Sequence, residues 1–231
     1  MKVLGIDTST MTGGAALVSK NEGLIGEYVL NIRSTHSERV IPAIQAILSD
    51  AELNLSDIDA FSVVTGPGSF TGLRIGVATA KSFAYALNKS VIGVTTLEAF
   101  AWQYQFFDGL ICPLIDARRE EVYTQFFAGL EPVTEPWNKP IREVIEWCKL
   151  QNNKIIFVGD GVQINYDLIM DQGRDFAVIP PIDGVVLRAS SVAGLGLRKL
   201  ELGQIDQALT LQPFYLRRSE AEIKWMSKTS L

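Results

Sequence analysis

The chain has 231 residues, 47% of them hydrophobic and 20% charged, which is enough apolar material for one large or two small globular units. Lysine and arginine number 21 against 26 aspartate and glutamate, a formal net charge of −5 that repels a polyanion and excludes the basic footprint of an autonomous nucleic-acid binder. One histidine and two separated cysteines, Cys112 and Cys148, barely supply the residues for a two-histidine metal site or a Ser-His-Asp triad of the usual kind; neither a disulfide nor a zinc site is expected.

Lys2-Val3-Leu4-Gly5-Ile6 reads as a buried strand ending at Asp7, followed by the polar turn Thr8-Ser9-Thr10 and strands over 15–18 and 24–32, an antiparallel meander. Met1 leads directly into this pattern without signal-peptide features, and no apolar run reaches the roughly 18 residues of a membrane span, so a cytoplasmic location without membrane contact is expected. The Asp7 turn has two readings. An aspartate at a strand end before Thr and Ser can hold a hydrated magnesium ion or orient a phosphate, whereas the same residues are ordinary turn formers that bond their own backbone.

Thr35 and Glu38 form a capping box ahead of the helical pattern Val40, Ile41, Ile44, Ile47 and Leu48, with Pro42 expected to kink the helix. His36 is either a lone base or an exposed residue at the helix start. A buried strand over 60–65 then meets Gly66-Pro67-Gly68-Ser69-Phe70-Thr71-Gly72-Leu73-Arg74 and a helical run over 75–87. Glycines between a strand and a helix let backbone N–H groups gather at a helix N-terminus, where the dipole favours an anion. The loop lacks the Gly-Lys-Ser/Thr of a Walker motif and the third glycine of G-x-G-x-x-G. Asp7, Thr8, Ser9, Thr10, Gly66, Gly68 and Ser69 are thus candidates for a degenerate nucleotide site; the alternative is a tight connection whose glycines are conformational.

From Leu73 to Leu87 only Arg74 and Lys81 are charged, and apolar residues spread around most of the helix. Such a helix must bury its outer side within its own domain or against another chain. Ile41, Ile44 and Leu48 on the first helix, with Arg74, Val77, Ala80, Lys81 and Ala84 on the second, are the candidate partner interface. A strand over 91–94 and a helix over 96–104 close the first half.

The second half repeats the order. A strand over 111–115 ends at Asp116, a polar turn Ala117-Arg118-Arg119-Glu120 follows, and a strand returns over 122–127. A helix over 142–150, a strand over 155–158 ending in Gly159-Asp160-Gly161, and a helix over 165–172 complete the parallel; the segments 132–136 and 180–181 read as loops. The expected division is an N-terminal α/β half-domain over 1–105, a smaller one over 106–212, and a tail over 213–231, with the tail and a last helix at 189–201 packing across both.

These pieces resemble the α/β superfold shared by actin, sugar kinases and chaperone ATPases, built from two duplicated half-domains. Within it, the chain is similar to the TsaB (YeaZ-type) family of bacterial tRNA threonylcarbamoyladenosine biosynthesis. The motifs that carry the resemblance are Leu4-Gly5-Ile6-Asp7-Thr8-Ser9, Thr35-His36-Ser37-Glu38, the glycine-rich loop, and Ile115-Asp116-Ala117-Arg118-Arg119-Glu120-Glu121-Val122-Tyr123. Gly159-Asp160-Gly161 and Pro213-Phe214-Tyr215-Leu216-Arg217 add lesser matches.

The resemblance implies a non-catalytic scaffold that acts with TsaD, a paralogue carrying the metal-binding H-x-x-x-H, and with the ATPase TsaE. Here Val40 stands four residues after His36, and no other histidine exists. Ser9 occupies the glycine position of the Asp-x-Gly-Thr turn of ATP-binding relatives, so the chain is expected to bind nucleotide weakly and to have no cofactor of its own, ATP or ADP belonging to the assembled complex. A heterodimer with TsaD, a homodimer of the isolated chain, and tRNA contact through the complex are the partner expectations, with Arg217, Arg218, Lys224 and Lys228 making the tail less acidic. The competing functions are a small-molecule kinase of the same superfold and a peptidase.

Overall fold

The structure is a computed structural model that describes residues 1–31 and 36–217. Strand β1 (Lys2–Asp7) is apolar on both faces and lies at the centre of a five-stranded sheet. It pairs antiparallel with β2 (Thr12–Ser19), and β2 with β3 (Gly23–Asn31), giving the expected meander. On its other side β1 runs parallel to β4 (Ala60–Gly66), and β4 to β5 (Ser90–Thr95).

The parallel crossovers carry α1 (His36–Asp50) and α2 (Phe70–Leu87) on one face of this sheet, where Ile44, Val77, Ala80 and Ala84 cover Leu4, Ile6, Phe61 and Val63. Pro42 lies inside α1. The capping box expected from Thr35 and Glu38, and the side chain of His36, lie outside the described residues. Helix α2 begins at Phe70 rather than at residue 75, because the Ser69 side chain accepts from the Gly72 N–H and so turns the glycine-rich segment into the helix's own first turn. Helix α3 (Thr96–Gln103) opens on a capping box made by Thr95 and Glu98.

The second half departs further from its expected pattern. The apolar run over 111–115 divides at Leu114 into β6 (Leu110–Pro113) and β7 (Ile115–Asp116), which join different sheets. β7 pairs with β8 (Glu121–Thr124), and β8 with β11 (Trp137–Pro140), in a three-stranded sheet. β6 pairs with β9 (Phe127–Ala128) and β12 (Ile155–Val158), and β10 (Glu131–Pro132) and β13 (Ala177–Val178) complete a second five-stranded sheet. Helices α4 (Ile141–Lys149), α5 (Asp160–Ile164) and α6 (Tyr166–Gly173) follow, with Val144, Ile145 and Ile169 packed on the outer face of that sheet.

Helix α7 (Ala189–Glu201) returns to the first sheet, on the face opposite α1 and α2. The Ser62 hydroxyl donates to the Val192 carbonyl at 2.9 Å, and a Cβ at Gly5 would lie 2.5 Å from the Ala193 nitrogen, so the helix sits against bare backbone. The last helix of the stretch over 106–212 therefore lies on the first sheet, where small residues leave the backbone open to it. From the first sheet, buried Glu27 on β3 accepts from the Ser190 N–H at 2.9 Å and pairs with Arg188, capping α7 from across the sheet. Helices α3 and α7 form a middle layer between Val3, Val64 and Ile92 of the first sheet and Ile111, Ile156 and Val158 of the second. The result is five alternating layers of helix and sheet, with the first turns of both halves at the strand ends.

Candidate functional site

The first candidate site is at the end of β1, where Asp7, Thr8 and Ser9 are all buried. Asp7 Oδ1 accepts from both the Ser9 N–H, at 2.9 Å, and the Ser9 hydroxyl, at 2.7 Å, closing the turn on itself. The turn then packs onto the start of α2. The Ser69 N–H donates to the Ser9 carbonyl at 2.6 Å, and the Thr8 hydroxyl donates to the Gly72 carbonyl at 2.7 Å. Thr10 lies at the edge, its hydroxyl donating to the Thr12 carbonyl.

The loop glycines are explained by this contact. A Cβ at Gly68 would lie 2.3 Å from the Ser9 oxygen, and one at Gly72 would lie 2.0 Å from the Thr8 oxygen. Gly66 has φ +131°, a region that L side chains rarely adopt. Gly68, Ser69 and Gly72 are brought against Thr8 and Ser9 beside Asp7, whereas Gly66 lies against the Phe214 carbonyl and Leu73. What approaches the loop closely, however, is the chain's own first turn, and its carbonyl of Ser9 takes the amide of the residue capping α2.

The corresponding turn of the second half is built differently. Asp160, at the start of α5, accepts from the Asp116 N–H at 3.0 Å, and Asp116 accepts from the Arg118 N–H at 2.8 Å. Burial, with the adjacent Asp116 charge adding to it, pushes the Asp160 carboxyl up to about 6 against the opposing pull of its backbone hydrogen bonds. Arg118, Arg119 and Glu120 are left-handed in succession, with φ of 63°, 56° and 62°. Each such non-glycine residue costs roughly 1–2 kcal/mol. The Glu121 N–H bonds back to the Arg118 carbonyl, so the turn is closed and its two arginines face outward. Among the described residues no three His, Cys, Asp or Glu side chains gather as a metal cluster.

The expected partner interface divides in two. Val77, Ala80 and Ala84 face inward, at 3%, 0% and 1% exposure, as do Ile44 and Leu48. They cover the first sheet, so the strip of small residues serves close helix-to-sheet packing and does not face outward. Lys81 bends to the carbonyls of Leu209 and Leu211, at 3.3 and 2.8 Å. Ile41 and Arg74 do face outward, and with them come Ala78, Ser82 and Tyr85, which were not singled out from the sequence. Tyr85 is 71% exposed. Spacings of four, four and three from Arg74 to Tyr85 were the available signal, hidden because Ala78 and Tyr85 count as apolar in a helix that reads apolar all round.

A family model described as TsaD, tRNA N6-adenosine threonylcarbamoyltransferase, matches residues 24–225. The tRNA threonylcarbamoyladenosine biosynthesis protein TsaB of Bacillus subtilis is 36% identical, with 98% of each chain covered. The Escherichia coli protein of the same name is 30% identical, with 96% of each covered. Among solved structures, a Pseudomonas aeruginosa protein described as similar to peptidase YEAZ superposes with a TM-score of 0.79 at 27% identity, covering 94% of this chain and 99% of that one. A ROK hexokinase from Thermus thermophilus reaches 0.51 at 12% identity, covering 85% and 100%, a likeness of fold alone. The fold is that of the actin-like ATPases. No helix among the described residues is long and apolar enough to cross a membrane.

Proposed function

The chain belongs to the TsaB (YeaZ-type) family of tRNA threonylcarbamoyladenosine biosynthesis proteins, and on that premise we propose that it is a non-catalytic subunit that supports threonylcarbamoyl transfer by a TsaD-type partner. The accepting group is the tRNA adenosine beside the anticodon, and TsaE is the third member of the assembly. The observation that carries the non-catalytic part is the closed first turn. A phosphate cradle needs backbone N–H groups directed at an anion. Here the Ser69 N–H bonds the Ser9 carbonyl, and Gly72 and Gly68 pass too close to the turn for anything larger than hydrogen. A kinase of this fold would need that turn open.

The partner face is the outward side of α1 and α2, represented by Ile41, Arg74, Ala78, Ser82 and Tyr85. A large, exposed aromatic beside small residues and one arginine is the composition of a binding anchor. In the absence of TsaD the same face pairs two copies of this chain.

Co-expression with the TsaD protein of the same source, followed by native mass measurement and reconstituted tRNA modification, tests the reading. A heteromeric complex is expected, lost in Tyr85→Asp while the folded content stays unchanged. Full association and full modification by a folded Tyr85→Asp variant would move the interface away from this face, and ATP turnover by the chain alone would overturn the non-catalytic assignment.

A further inference from the structure

Residues 206–217 follow α7 without forming a regular element, yet almost every step is held. Asp206 bridges to Val91 at the edge of β5, and its carboxylate accepts from the Gly93 N–H at 2.8 Å. Leu211 is buried in the cluster beneath α1 and α2, and Lys81 holds the carbonyls of Leu209 and Leu211. The Phe214 N–H donates to the Thr65 carbonyl at 2.8 Å, at the end of β4. Tyr215 stacks on Phe70 with ring centroids 4.6 Å apart, and its hydroxyl accepts from Arg74 Nε at 3.1 Å while the guanidinium lies over the Phe70 ring. Two residues later the chain reaches the other half: Arg217 donates to the Ala117 carbonyl at 3.4 Å and pairs with Glu121 at 3.5 Å.

We propose that residues 206–217 are an interlobe latch, which fixes the angle between the two sheets from the strand-end side without any ligand between them. Two-lobed proteins with a hinge close around ligands, and the ligand's contacts to both lobes set the closed angle. In this chain α3 and α7 join the lobes through the middle layer, and the two first turns stand at the strand ends. The latch crosses there. Its two feet are Tyr215 on α2 of the first lobe and Arg217 on the Ala117–Glu121 turn of the second.

The loop on which the latch rests is shaped for it. A Cβ at Gly66 would lie 2.4 Å from the Phe214 carbonyl oxygen, so the end of β4 accepts the tail only as glycine. The second foot explains what the left-handed run at Arg118, Arg119 and Glu120 accomplishes for the tail: it reverses the chain so that the Ala117 carbonyl and the Glu121 carboxylate both meet Arg217. None of this depends on which partner the chain binds.

The test measures the distance between the lobes. Spin labels at Glu22→Cys, in the exposed turn between β2 and β3, and at Arg142→Cys, on the exposed side of α4, are read by double electron–electron resonance in label-diluted protein. Singly labelled controls report any reaction of the buried Cys112 and Cys148. The unaltered tail is expected to give one narrow distribution, and Tyr215→Ala with Arg217→Ala a broadened or displaced one at unchanged secondary-structure content. Tyr215→Phe with Arg217→Lys, which keeps the ring stack and the charge, is expected to restore the narrow distribution. A folded double-alanine variant whose distances match the parent overturns the latch, as does a parent distribution already broad. If the double-alanine variant does not fold, Arg217→Ala alone decides by the same criterion, since it removes only the second foot.

Discussion

Arginine placed at position 80 and at position 78 of the same helix should have opposite consequences. Ala80 is fully buried among Leu4, Ile6, Phe61, Val63 and Val91, a cluster with no acidic side chain to answer a cation. An unpartnered buried charge costs about 3–5 kcal/mol, and forcing the long side chain into a filled site adds about 1–3 kcal/mol. The sum is of the same order as the whole stability of a typical domain, about 5–15 kcal/mol. At about 2–4 °C per kcal/mol for a chain of this size, Ala80→Arg should lower the melting temperature by roughly 10–30 °C or abolish soluble expression. Ala78 is exposed two residues away, and an exposed Ala→Arg change stays within about 0.5 kcal/mol, under about 2 °C. Circular-dichroism melts of both variants decide the matter. An Ala80→Arg protein that melts within about 2 °C of the parent would refute the inward orientation of this face. Equal losses in both variants would refute the outward orientation of Ala78.

Three further outcomes follow from named contacts. Gly72→Ala sets a Cβ 2.0 Å from the Thr8 oxygen, so the turn and α2 must separate; a loss of at least about 2 kcal/mol in urea unfolding is expected, and a neutral result would show that the turn is not seated on the helix. Asp160, pushed up to about 6, keeps a proton in the folded chain that the unfolded chain releases near 4. Its contribution is therefore fully present below about pH 4 and is lost as pH rises through about 6, so Asp160→Asn should gain on the order of 2–3 kcal/mol over the parent at pH 7 and none at pH 4. Paired denaturation curves at those pH values check it, and an advantage that shrinks as pH rises would contradict the assigned direction. Glu27→Ala leaves the Ser190 N–H and Arg188 without their carboxylate at the start of α7, which should cost about 1–2 kcal/mol, measured as a shift in the urea midpoint.

The first half was the more legible half because its elements carry independent signals. The buried run of β1 ending at Asp7, the long buried run of β4 and the apolar period of α1 each point to one answer, and the parallel register between β1 and β4 follows from the helix between them. In the second half the run from Ile111 to Ile115 is apolar throughout, and Pro113, which has no N–H to give a ladder, is the one mark that β6 ends before Leu114. The short strands β9, β10 and β13, of two residues each, are defined only by what lies beside them. Helix α7 was located in sequence, but its seat was not, because Gly5, Ser62 and Gly196 mark a close approach only after the sheet and helix are superposed: a Cβ at Gly196 would lie 2.3 Å from that of Ser62.

The candidate site shows a different kind of limit. Glycine at positions 66, 68 and 72 signals a close approach of something to the backbone, but an anion and a neighbouring carbonyl make the same demand on the chain, since both require a missing Cβ and both accept from an N–H. The decision lies in Thr8 and Ser9, whose hydroxyls are used inside the turn and against Gly72 rather than held toward the cleft. Small residues on α2 posed the same ambiguity: Val77, Ala80 and Ala84 would admit either a partner helix or the chain's own sheet, and burial assigns them to the sheet. Once that face is taken, the outward row that remains is Arg74, Ala78, Ser82 and Tyr85, and its first member is also the residue that holds Tyr215. A side chain shared between the exposed face of α2 and the tail joins the surface offered to a partner to the segment crossing between the lobes, so a change at Arg74 is expected to register in both places, whereas one at Tyr85 registers only at the surface.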